Sequence, residues 1–125
     1  MKAQTESRAS KPVKQYDLED RTLKFSREVI QFVNVLPKTI ANVEVCKQLV
    51  RSAGSIGANY IEANEALGKK DFIMRVRIAR KEAKETRYWL ELVERSEGRE
   101  SIQNKLIQEA TELLKIMSAI ILKSE

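Results

Sequence analysis

The chain contains no histidine and a single cysteine, Cys46, among 125 residues. These absences remove imidazole-based general-base chemistry, the usual zinc ligand sets and any intramolecular disulfide. There is no secretory apolar segment and no run of about 18 apolar residues, so a soluble cytoplasmic protein without membrane contact is expected. No stretch shows the period-two alternation of a half-buried strand. At this length one domain can bury a core without metal or disulfide staples. No cofactor and no metal are expected.

The formal net charge is +5, but it is unevenly placed. In residues 1–16, Lys2, Arg8, Lys11 and Lys14 stand against Glu6 alone. That stretch is polar, aperiodic and contains Pro12, and it reads as a flexible basic N-terminal arm before a domain over 17–125. Residues 69–95 carry nine basic and five acidic groups, whereas 17–68 and 96–125 each come to −1. Positive charge is thus gathered on an arm and one helix.

Four amphipathic segments follow. The first is expected from about Asp20 to Leu36, with Phe25, Val29, Phe32, Val33 and Leu36 three and four apart and Pro37 as the stop. The second begins near Asn42 or Val43 and runs to about Leu67, with a heptad-like seam of Leu49, Ala53, Ile56, Tyr60, Ala63 and Leu67. Gly68 supplies its break. The third keeps strict four-three spacing through Phe72, Val76, Ala79, Ala83, Thr86, Leu90 and Val93, and Gly98 terminates it. The fourth opens at Arg99 or Ser101, with Ile102, Leu106, Ala110, Leu113, Met117 and Ile120 as its stripe. Helices of about 17 to 26 residues with short joints specify an all-α, up-down-up-down antiparallel four-helix bundle.

The stretch from Arg51 to Ala63 is unusual, because Gly54 and Gly57 sit inside a helix. Each interior glycine costs about 1 kcal/mol relative to alanine. With Ala58 they keep the surface low, so a neighbouring helix can approach closely. Arg51, Ser55, Asn59 and Glu62 follow one another at intervals of four, four and three and line a common side. They read as a structural polar cluster that gives specificity within the bundle or at an oligomer contact, with a ligand site as the alternative.

At these residues the chain resembles a known family. The run Leu49 to Ala63, then Lys70-Asp71-Phe72, then Ala79 to Leu90 is similar to the bacterial four-helix-bundle proteins encoded in intervening sequences of 23S ribosomal RNA genes, over about residues 20–122. Many members have proline at the position of Gly57 and glycine at that of Ala63; a branch with Gly-Ala-Asn here is the better match. The resemblance implies a small cytoplasmic bundle that forms ring-like homopentamers. A related protein is the accessory factor of diversity-generating retroelements, also a pentameric bundle, which binds nucleic acid and partners a reverse transcriptase. Arg51, Asn59 and Glu62 correspond to characteristic polar residues of the family, with no catalytic role to carry across.

The third helix has two further faces. Met74, Ile78, Tyr88 and Leu92, with Trp89 beside them, fall away from its core stripe and are candidates for an oligomer interface. Between the apolar sides, Arg77, Arg80, Lys84 and Arg87 recur three, four and three apart, with Lys81 close by and Lys69 and Lys70 at the helix start. Such a strip suits contact with phosphates without base reading. Glu82, Glu85 and Glu91 interrupt the field, so a solvated face is the competing reading. No phosphate-binding glycine loop or zinc-finger spacing accompanies it.

An enzyme would have to use Glu62, Glu82 and Glu85, but di-metal bundles need Glu-x-x-His pairs, which are excluded here. Cys46 has no base partner and reads as a small semi-buried residue. No enzyme activity is expected. Two functions of different classes remain. One is a homo-oligomeric, non-enzymatic accessory protein that binds RNA or DNA weakly through phosphate contacts. The other is a structural protein–protein interaction module without nucleic-acid binding.

Overall fold

The computed structural model describes the backbone of residues 14–125 and the side chains from Leu18 onward. Four helices fill it: α1 (Lys14–Asn34), α2 (Ile40–Asn64), α3 (Lys69–Leu92) and α4 (Glu100–Ser124). Each packs on its two neighbours around the bundle, α2 against α3 most closely and α1 against α4 most loosely, and all four contribute to one hydrophobic core. This is the expected all-α four-helix bundle. The arm expected over 1–16 lies outside the described residues, except that α1 already runs from Lys14.

The early start of α1 follows from its seam. Leu18, Thr22, Phe25, Val29, Phe32 and Leu36 are all buried and repeat four and three apart. Thr22 fits this apolar row because its hydroxyl donates to the Leu18 carbonyl at 2.9 Å. Asp20 was therefore too late a boundary.

The start of α2 is also earlier than expected. The Thr39 hydroxyl accepts from the Asn42 backbone N–H at 3.1 Å and caps the helix. At the other end, Glu65 and Ala66 donate to Glu62 and Ala63 respectively, three residues back. This tightened turn ends α2 at Asn64 and leaves Leu67 fully exposed, not in the seam. Gly68 is not a left-handed break; its backbone is extended (φ −155°) and it precedes the first turn of α3. Gly98 does adopt a left-handed conformation (φ +84°), but within the α3–α4 loop, after α3 has ended at Leu92.

In α4 the buried row is Gln103, Leu106, Ala110, Leu113, Met117 and Ile121. Ile102 is 45% exposed and Ile120 only half-buried, so the expected stripe is corrected at both ends. The reason at the first end is a backbone demand. The last carbonyls of a helix lack intrahelical donors, and Gln103 Nε2 donates to the Leu90 carbonyl of α3 at 2.7 Å. Buried Asn42 acts similarly: its Nδ2 donates to the Pro37 carbonyl at 3.1 Å and its Oδ1 accepts from Glu94 N at 3.2 Å. Two amides thus close the end of the bundle where α3 turns into α4.

Close packing of α2 depends on small residues. Ser52, Ala53, Ala79, Ala83 and Thr86 are buried, and Thr86 Oγ1 donates to Ser52 Oγ at 2.9 Å and to the Glu82 carbonyl at 2.7 Å, two acceptors sharing one hydroxyl. On the other flank of α2, α1 approaches Gly57, where an added Cβ would sit 2.8 Å from Thr22 Oγ1 and 3.2 Å from Thr22 Cβ. Arg21 bridges the loosest pairing, with Nε 2.6 Å and NH2 2.9 Å from the two Glu109 carboxylate oxygens. This fork raises the Arg21 pKa, chiefly through the hydrogen bond.

These contacts give opposite expectations for the two helical glycines. Gly57→Ala must displace stiff, hydrogen-bonded Thr22; overpacking costs about 1–3 kcal/mol, against a helix-propensity gain of about 1 kcal/mol. Gly54→Ala would meet only Ser26 Oγ at 3.8 Å. Urea unfolding should show Gly54→Ala stabilised by up to about 1 kcal/mol and Gly57→Ala less stable than the parent. Equal stabilisation of both variants would contradict the close approach.

Candidate nucleic-acid interface

The rotation of α3 about its own axis decides what each of its faces meets. Val76, Ala79, Ala83, Thr86 and Leu90 point into the core, and Thr86 faces α2 through Ser52. Glu82 lies one turn before Thr86 and shares that side. The basic residues fall on the other flank, toward α4.

There, Arg77, Arg80, Lys81, Lys84 and Arg87 line one groove of about 470 Å³, whose α4 wall is Leu114 and Ser118. Arg80 NH1 lies 3.4 Å from Ser118 Oγ, and Arg87 NH1 lies 3.5 Å from Thr111 Oγ1. Both are long contacts to neutral hydroxyls, and among the described residues neither guanidinium has a carboxylate partner. Their stems are half-buried against the bundle, while Arg77, Lys81 and Lys84 are exposed. Among the described residues the one ion pair on the strip joins Arg77 NH2 to Glu125 Oε2 at 2.6 Å. Among the described residues no carboxylate lines the groove itself.

Glu82, Glu85 and Glu91 therefore do not interrupt the groove. Glu82 is turned to the α2 side, where its Oε1 is buried without a hydrogen-bond partner among the described residues. Lys70 joins the strip indirectly: with Asp71, Ile73, Met74 and Arg77 it borders an adjoining cleft of about 660 Å³. Lys69 is exposed at the helix start and lines neither space. Thr111, Leu114 and Ser118 were not recognised from the sequence. Their three-four spacing beside the α4 core row was the available signal.

The polar cluster on α2 lies away from this groove. Arg51 NH2 donates to Gln48 Oε1 at 3.3 Å, and Asn59 Nδ2 donates to the Ser55 carbonyl at 2.9 Å, both within α2. Ser55 is half-buried and Glu62 exposed. Among the described residues none of the four bonds to another helix. Within the chain, the polar contact between α2 and α3 is made instead by Ser52 and Thr86.

Of the apolar outer face of α3, Met74, Tyr88 and Leu92 are exposed, Tyr88 at 57%. Ile78 and Trp89 are half-buried, and Trp89 packs on the core. The Tyr88 and Trp89 rings meet edge to face with centroids 5.0 Å apart. Trp89 Nε1 is buried and has no hydrogen-bond partner among the described residues.

Among the described residues no three carboxylate or thiol groups come together as a metal site. Among them too, no helix is long and apolar enough to cross a membrane. A family model described as 23S rRNA-intervening sequence protein matches residues 14–119. The chain belongs to that family. It is also similar to a crystal structure, at 1.70 Å resolution, of a protein of unknown function from the S23 ribosomal protein family of Bacteroides thetaiotaomicron. The two are 37% identical, the match covers 87% of this chain and 98% of that one, and the TM-score is 0.76. No curated protein matches the chain. Family membership agrees with the four-helix bundle.

Cys46 is half-buried, and its thiol pKa is raised by desolvation, with the Lys38 charge acting weakly the other way. Less thiolate is then present at neutral pH than for a free thiol. Maleimide labelling of Cys46 at pH 7.5 should run several-fold slower than that of glutathione and should accelerate at higher pH. Labelling as fast as glutathione would contradict this.

Proposed function

We propose that this family member is a homo-oligomeric, non-enzymatic accessory protein that binds RNA or DNA weakly, holding backbone phosphates in the α3–α4 groove. The observation that carries the reading is the lining: five cationic side chains around one groove with no carboxylate among the described lining residues, Glu125 pairing with Arg77 alone at its edge. Half-buried arginine stems lose less freedom on binding than free surface chains, and guanidinium forks suit phosphate oxygens. Among the described residues no aromatic ring lines the groove, so bases find no stacking platform there and sequence is read poorly. The chain lacks histidine, which favours binding over acid–base chemistry as its task. A cytoplasmic location and kinship with the accessory factor of diversity-generating retroelements fit the same reading.

The salt dependence tests it. If about four phosphates are neutralised, affinity for mixed-sequence RNA or DNA should fall roughly 50- to 150-fold between 50 and 200 mM salt. Replacing Arg80, Lys84 and Arg87 with glutamine should lower the log–log slope by about two to three and weaken all sequences alike. No binding at 50 mM salt, or binding indifferent to these changes, would exclude the groove.

The outer face of α3 favours a second reading, that of a protein–protein interaction module without nucleic-acid binding. Met74, Tyr88 and Leu92 expose apolar surface beside Trp89, whose buried indole N–H has no partner among the described residues. Burial of this face in a second copy is also what homo-oligomerisation requires; the pentameric number comes from the family resemblance. Light scattering at micromolar concentration should give an oligomer that Met74→Glu with Leu92→Glu dissociates. A monomeric parent protein would remove the ring, and capture of a protein partner that survives neutralising the basic strip would favour the second reading.

A further inference from the structure

A second concave site lies away from the basic groove, at the corner where α1 turns into α2. It encloses about 510 Å³, within the roughly 300–1,000 Å³ typical of small-molecule sites. Its wall is aliphatic: Val33, Leu36, Pro37, Val43, Val50 and the Cys46 thiol. Lys38, Lys47, Arg51 and the exposed Asn34 also line it, with no carboxylate among the described lining residues. Lys47 has Glu44 3.6 Å away, but both side chains are about two-thirds exposed, so that pair is loose. Among the described residues Arg51 is bonded only to the neutral Gln48 amide.

The polar readout of this cleft is restricted. Asn42 lines it too, yet both ends of its amide are committed to Pro37 and Glu94. No aromatic ring is present to stack a base or a sugar. An aliphatic wall beside several cations is complementary to an unbranched chain ending in one negative charge. We infer that the α1–α2 corner binds a free medium-chain aliphatic carboxylate, its chain along Val33, Leu36, Val43 and Val50 and its headgroup among Lys38, Lys47 and Arg51. This gives Arg51 a role that neither the core nor the α3–α4 groove supplies. The reading stands independently of nucleic-acid binding, since the two sites share no residue.

Cys46 lines the cleft and is the chain's single cysteine, so its labelling reports occupancy. The experiment follows maleimide modification of the full chain at pH 8 with decanoate below its micellar concentration, and with decanol as the uncharged control. Decanoate should slow labelling at least fivefold and saturably, while decanol protects far less. Replacing Lys38, Lys47 and Arg51 together with glutamine should raise the half-protecting concentration about tenfold, with an unchanged circular dichroism spectrum. No protection, equal protection by decanol, or undiminished protection in the triple variant would overturn the assignment. So would labelling that slows with protein concentration alone, because a second copy would then be the occupant.

Discussion

The close seam between α2 and α3 governs the rest of this structure. Ser52, Ala53, Ala79 and Ala83 have little side chain to hold the helices apart, and the Thr86–Ser52 hydrogen bond joins them in the core. A buried pair of this kind contributes roughly 0.5–1.5 kcal/mol net, and each hydroxyl also bonds a carbonyl of its own helix, Leu49 for Ser52 and Glu82 for Thr86. The small side chains and this bond together favour the rotation of α3 that brings the hydroxyls together. Once the rotation is set, helical geometry does the remainder: Glu82 shares the α2 side, and Arg80, Lys84 and Arg87 come round to α4. The electrostatic character of the α3–α4 groove is thus a consequence of core packing one quarter-turn away.

The end of the bundle obeys a different constraint. Every helix leaves backbone groups unpaired at its ends, and burial makes them costly. Asn42 and Gln103 meet this cost at the terminus of α3, one taking the Glu94 N–H and the other filling the Leu90 carbonyl. They also explain why α4 enters the core with an amide instead of with Ile102. Gln103 Oε1 itself has no hydrogen-bond partner among the described residues, so one residual demand is left at this end.

Much of this was legible in the sequence, and the misses have a common cause. Central seam positions such as Leu49, Ile56, Ala79, Ala83, Leu106 and Leu113 are buried as their spacing indicates. The glycine-rich stretch correctly signalled close approach, though only Gly57 is tightly met, by Thr22. Errors collect at helix ends: hydrophobic period favours Leu67 and Ile102, where turn geometry and backbone hydrogen bonding decide otherwise, and Ile120, whose neighbour Ile121 is buried instead. For the groove, the cationic strip was visible on one helix. Its α4 wall was not, because which polar residues of α4 lie opposite Arg80 and Arg87 depends on the relative rotation of two helices. The α1–α2 cleft was hidden for the same reason, since loop residues and two helices build it together.

The central claim is that nucleic-acid phosphates enter the α3–α4 groove, and site-resolved NMR during titration with a mixed-sequence oligonucleotide tests it most directly. The account predicts that the Arg80 and Arg87 Nε–H signals and the Ser118 amide shift first and saturate together. Shifts centred on other cations such as Lys105 or Lys115, with these three signals unmoved, would contradict it.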